Sequence, residues 1–157
     1  MRHLGLVLAF LVACNGSDTS GNGECNTDNE ECGLGQNCGG EDINMAPGSD
    51  CMACHDGSDN EAPAWTIAGT VFDDLNGSNA VSGATVRITD TDGAGTPIEM
   101  TTSAAGNFTS TAAIVAPYTA EIEVDGVVVA MAAHQTDGSC NSCHACGGSA
   151  GGKLHTP

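Results

Sequence analysis

Two Cys-x-x-Cys-His segments constrain this chain more than any other feature: Cys51-Met52-Ala53-Cys54-His55 and Cys140-Asn141-Ser142-Cys143-His144. Each sets two thiols and an imidazole within a single turn of chain. That spacing matches the two vinyl groups on one edge of a porphyrin, with the histidine placed beneath the iron. Other chemistries use paired cysteines. A four-thiolate zinc site would not need a histidine after each pair. A thioredoxin-like motif would follow a strand in a βαβ pattern, which is absent. Simple disulfides would be indifferent to the histidines. Two repeats of the full motif therefore predict two covalent haems c, attached at Cys51, Cys54, Cys140 and Cys143, with His55 and His144 as proximal iron ligands.

The histidine count agrees with that reading. His3 falls in the leader, which leaves His55, His134, His144 and His155. Two irons with two histidines each need four, so His134 and His155 are the expected distal ligands. The Gly-rich run from Gly147 to Gly152 reads as a flexible loop that folds His155 back over the second motif. That leaves His134 for the first. Met45, Met52, Met100 and Met131 are rival axial ligands; Met131 stands near the second motif, while Met100 reads as strand core.

The chain carries nine cysteines. It opens with Met1-Arg2-His3 and the apolar run Leu4 to Ala13, an n-region and h-region too short to span a bilayer. The run ends in Leu11-Val12-Ala13-Cys14, which resembles the lipobox of bacterial lipoproteins. That resemblance implies export, lipid attachment at Cys14 and anchoring, with the outer membrane as the expected location. Cys25, Cys32, Cys38 and Cys146 remain, enough for two disulfides in an oxidising compartment. Three pairings are open.

The formal charge is −17, with Arg2, Arg87 and Lys153 as the fixed cations. Phosphate neutralisation needs clusters of Lys and Arg, so nucleic acid is excluded as a partner. An acidic face suits solubility and the steering of a basic partner. With three Phe, one Trp and one Tyr against 22 Gly, an aromatic-packed core is not expected. A buried porphyrin would supply the missing apolar area.

Between the motifs the pattern has period two. In Tyr118-Thr119-Ala120-Glu121-Ile122-Glu123-Val124, apolar and polar residues alternate, and Asp125-Gly126 then turns the chain into Val127 to Met131. Trp65, Ile67 and Val71 share one strand face, and Ala84, Val86 and Ile88 another, with Thr85 and Arg87 pointing outward. Ile98 and Met100 mark a further strand, and Phe108 one more. The expected fold is mainly β: a small antiparallel β-sandwich flanked by two loop-rich c-type haem-binding segments. The divisions are a signal peptide at 1–13, a Cys-rich acidic tether at 14–45, a first haem segment at 46–63, the sandwich at 64–133 and a second haem segment at 134–157. Asp73-Asp74 and Asp90-Thr91-Asp92-Gly93 lack a full calcium loop and read as turn carboxylates.

Ile67-Ala68-Gly69-Thr70-Val71-Phe72, Val81-Ser82-Gly83-Ala84-Thr85-Val86 and Gly106-Asn107-Phe108 resemble a carboxypeptidase regulatory-like domain. The resemblance implies a transthyretin-like or Ig-like sandwich without catalytic residues. The rest of the chain resembles dihaem c-type cytochromes through the haem motifs alone. Together these features predict an exported electron carrier, not an enzyme, with low-potential bis-histidine haems and other redox proteins, cytochromes among them, as partners. Two other classes compete. A haem sensor or peroxidase would need one open iron, and a structural surface lipoprotein would work through its β-domain.

Overall fold

The computed structural model describes residues 42–58, 62–93 and 95–156. The signal peptide, Cys14, Cys25, Cys32 and Cys38 lie outside the described residues. Six strands alternate with turns: β1 (Ile67–Thr70), β2 (Thr85–Asp90), β3 (Ile98–Thr101), β4 (Asn107–Ser110), β5 (Tyr118–Val124) and β6 (Val127–Ala130). Two single-turn helices bracket them, α1 (Met52–His55) and α2 (Cys140–Cys143). All strand pairs are antiparallel; β1 pairs with β4, and the larger sheet runs β3-β2-β5-β6.

The alternation in β2 and β5 sorts side chains between core and solvent, because successive residues of a strand point to opposite faces. Val86 and Ile88 of β2 pack with Tyr118 and Ile122 of β5, Met100 of β3, and Phe108 and Ile67 from the other sheet. Both sheets thus share one core. Arg87 points the other way. It lies directly opposite Glu99 on β3 and Glu121 on β5 and pairs with both carboxylates, with Glu123 at 3.9 Å. These cross-strand pairs favour the observed register over one slipped by a residue, which would put Arg87 into the core.

The β5–β6 hairpin turns on Asp125 and Gly126, at φ +52° and +80°. Two consecutive left-handed residues are what a two-residue hairpin with native strand twist requires. Beyond it β6 is an edge strand, with Val127 and Val128 about half exposed. The turn carboxylates behave as the sequence implies: Asp74 accepts from the Asn76 and Ser78 amides, and Asp73 from Asn79.

One strand departs from the expected half-buried pattern. All four residues of β1 are buried, including Gly69 and Thr70. The reason is tertiary: residues 138–139 pair along the edge of β1 not taken by β4, and Cys140 of α2 joins the shared core beside Ile67 and Phe108. Met100 sits in the core, as its strand position implied. Truncating Ile122 to Ala, at the centre of the core, is expected to cost about 2–5 kcal/mol. Val128→Ala on the exposed edge should change stability by under about 0.5 kcal/mol. Urea unfolding monitored by circular dichroism checks both.

Candidate functional site

The first motif forms its helical turn through ordinary backbone bonds, with the Cys54 and His55 amides both donating to the Cys51 carbonyl. Asp50 Oδ1 accepts from the Met52 amide at 3.1 Å and so holds the start of the turn. Residues three and four apart share a helix face, which brings Cys51, Cys54 and His55 together. His55 is buried. Its Nδ1 lies 2.8 Å from the Pro63 carbonyl, and an oxygen with no hydrogen requires Nδ1 to be the protonated nitrogen. The Nε2 lone pair is then the one available to a metal. The ring also stacks on Trp65, with centroids 3.6 Å apart and planes 11° from parallel.

Trp65 was expected on a strand face with Ile67 and Val71. It precedes β1 instead and fixes the imidazole plane of His55. Neither this role nor that of Pro63 has a signal in the spacing of the motif, because both depend on how the chain returns from the helical turn.

The second motif docks on β1. The Gly138 carbonyl accepts from the Ala68 amide, and Ser139 bridges Ala68 in parallel. A Cβ on Gly138 would stand 1.9 Å from the Thr66 carbonyl oxygen, and one on Gly69 would stand 2.8 Å from Cys140 Cβ. Close approach of the two backbones requires glycine at both positions. The Gly147–Gly152 run is a series of tight turns rather than an open loop: Gly148 donates to Ala145, Gly151 to Gly148, and Ala150 to the Cys143 carbonyl. The tail then pairs beside Phe72, which donates to Leu154 and accepts from Thr156.

These connections leave an open cleft of about 820 Å³ beside α2, within the range of about 300–1,000 Å³ common for cofactor sites. Its lining includes Cys140, Cys143, His144, His134 and His155. The wall behind them is apolar, built from Val86, Ile88, Ile122 and Leu154. Met131, the rival ligand, also lines it. His155 Nδ1 lies 2.6 Å from the Thr156 carbonyl, so its Nε2 is the nitrogen left for a ligand. Burial pushes the His144 imidazole below its ordinary pKa against an opposing hydrogen bond to the Gly152 backbone, and the charge of His155 adds to the lowering. His144 is therefore neutral near neutral pH, the form that ligates metals.

Two positions differ from the expectation. His134 lines the cleft of the second motif, where the sequence had left it for the first: beyond β6 the chain stays alongside β5, with Met131 donating to Ala120 and Gln135 bridging Tyr118. Cys143 is disulfide-bonded, as is Cys146, whereas the motif spacing reserved Cys143 as a free thiol. Motif spacing fixes which sulfurs share a turn, but not which further cysteine the fold brings within bonding distance. Cys51, Cys54 and Cys140 are free thiols.

The first motif fits covalent haem as it stands, with two thiols and an Nε2-competent histidine. The second offers the cleft and the imidazoles, but one of its sulfurs is already bonded. Among the described residues no group of three or more His, Cys, Asp or Glu side chains is placed to hold a bare metal ion.

The three thiols differ in environment. Burial and the neighbouring Asp50 carboxylate push Cys51 up to about 11. Burial, with the charges of Cys51 and Asp137, pushes Cys140 up to about 12. Cys54 is exposed. Because the thiolate is the nucleophile, iodoacetamide near neutral pH should modify Cys54 first in the native haem-free chain. Cys51 should become reactive as the pH approaches 11, with Cys140 slowest throughout. Peptide mass mapping across pH checks that order. Compared with known proteins, the chain matches no family model, no curated protein and no solved structure.

Proposed function

We propose that this protein is an exported, lipid-anchored dihaem c-type cytochrome that carries electrons. The observation that carries the reading is the cleft whose lining includes Cys140, Cys143, His144, His134 and His155. Side chains alike in ligand chemistry line one cleft of suitable size with an apolar wall. A haem bound there supplies a one-electron iron couple.

The chain's own residues do the rest. Cys51 and Cys54 would hold one group, with His55 as its imidazole, the ring oriented by Trp65 and its tautomer set by the bond to Pro63. Cys140 anchors the second by one sulfur. Cys143 would add a second anchor once a dithiol reductant has opened its disulfide by thiol–disulfide exchange. His144 would be the imidazole the second motif supplies, and His155 its partner from the tail. Two protein imidazoles on one iron leave no position for a substrate, so that iron exchanges electrons only. The Ile88, Ile122 and Leu154 wall keeps water away from it. Lipid attachment at Cys14 anchors the molecule, and its partners are other redox proteins. Among the described residues no helix is long and apolar enough to cross a membrane. The β-domain is a small sandwich of the carboxypeptidase regulatory-like kind that presents the two haem segments.

One observation favours a second reading, a haem sensor or peroxidase. With His134 and His155 both at the second cleft, the first iron has His55 as its histidine, and an open position there would bind small molecules. Denaturing mass spectrometry of the exported protein should show two covalent haems. Reduction of the Cys143 disulfide before maturation should raise loading at the second motif. A chain without covalent haem overturns the proposal. His155→Ala should turn the second iron high-spin and create carbon monoxide binding there. Wild-type binding of carbon monoxide at the first haem would favour the sensor reading.

A further inference from the structure

The first inner position of the second motif is filled by a side chain that faces the first motif. Asn141 is 3% exposed. Its Nδ2 donates to the Ser49 carbonyl at 2.7 Å, two residues before Cys51, and to Thr70 Oγ1 at 3.2 Å. The same nitrogen lies 4.0 Å from Cys51 Sγ. Its Oδ1 accepts from the Thr70 amide at 3.1 Å. The amide thus uses donors and acceptor together, half on β1 and half on the segment leading into α1.

Thr70 extends this contact into a buried network. Its hydroxyl accepts from the Gly48 amide at 2.9 Å and donates to Asn107 Oδ1 at 2.7 Å. Asn107 Nδ2 in turn donates to the Met45 carbonyl at 2.8 Å. On the other flank Ser139 Oγ donates to Asp50 Oδ1 at 2.5 Å, joining the residues just before each motif. Residues 45–51 and 139–141 are thereby held against one another and against the end of β1. In low dielectric, breaking one partner of such a network leaves the others buried without bonds, so the arrangement resists displacement.

We infer that Asn141 is a positioning residue that locks the two motifs into one unit, so that groups attached at Cys51 and Cys140 interact directly. The inference rests on the two-haem reading. A general requirement for haem attachment does not explain the side chain, since Cys-x-x-Cys-His leaves its inner positions free. Among the described residues, Asn141 is the second-motif side chain that bonds to both the first-motif segment and β1.

The test uses the full exported chain matured with haem, and reads haem content by denaturing mass and inter-haem coupling by paramagnetic resonance of the oxidised protein. Wild type should hold two haems with magnetically coupled signals. Asn141→Asp keeps an acceptor for the Thr70 amide but loses the donors to Ser49 and Thr70, and should hold two haems with independent signals. Thr70→Ser should retain the coupling, because it retains the hydroxyl. Two haems with independent signals in the wild type overturn the inference and leave the haem reading intact. Coupling undiminished in Asn141→Asp overturns the role of the amide. A chain carrying fewer than two haems overturns the haem reading itself, and the inference with it.

Discussion

The close approach of Gly138 to Thr66 and of Gly69 to Cys140 is the contact on which the arrangement of this molecule turns. A two-stranded sheet such as β1–β4 leaves β1 with one edge unpaired. Here that edge is covered by the segment leading into α2, and the covering brings polar groups with it. Thr70, Asn107 and Asn141 are all buried, and each finds partners because the segment ahead of α1 supplies carbonyls and an amide at the right places. Any side chain at position 69 or 138 would separate the layers and strand those groups. Buried amides of this kind add specificity of arrangement as well as stability.

Both candidate sites follow from that docking, and they differ in character. The first is a tight local structure, one helical turn closed by Pro63 and Trp65, and most of its geometry is set within fifteen or so residues of chain. The second is assembled from distant parts. β2 and β5 give the cleft its wall, the passage after β6 brings His134, the glycine turns bring His155, and β1 fixes α2. Lys153, buried at 2% exposure against Phe72 with its ammonium 3.3 Å from the Gly48 carbonyl, pins the tail that carries His155. The few large apolar side chains in the composition match a core that is complete on one side and open on the other.

Charge has a separate part. Among the described residues most acidic side chains are exposed, and Arg87 draws three of the acids into one cross-strand cluster on the outer face of the larger sheet. The rest of the surface keeps its negative field, which favours encounter with a basic partner and weakens with salt. Near the motifs burial raises the thiols Cys51 and Cys140, and the neighbouring carboxylates Asp50 and Asp137 add to it.

Much of this was legible in the sequence. Period-two alternation located β2, β3, β5 and β6, and Asp125-Gly126 located their tightest turn, because strand periodicity and left-handed turn residues are local properties. The motif spacing alone put Cys51, Cys54 and His55 on one face of a turn. The sequence also grouped Cys140, Cys143, His144 and His155, since they are near neighbours along the chain. What it did not contain was the pairing of distant parts. The full burial of β1, the contact of Gly69 with Cys140 and the bridging amide of Asn141 were decided only when the folded chain laid α2 against β1. Residue spacing carries local geometry; contacts between remote segments depend on packing, and packing exists only in three dimensions.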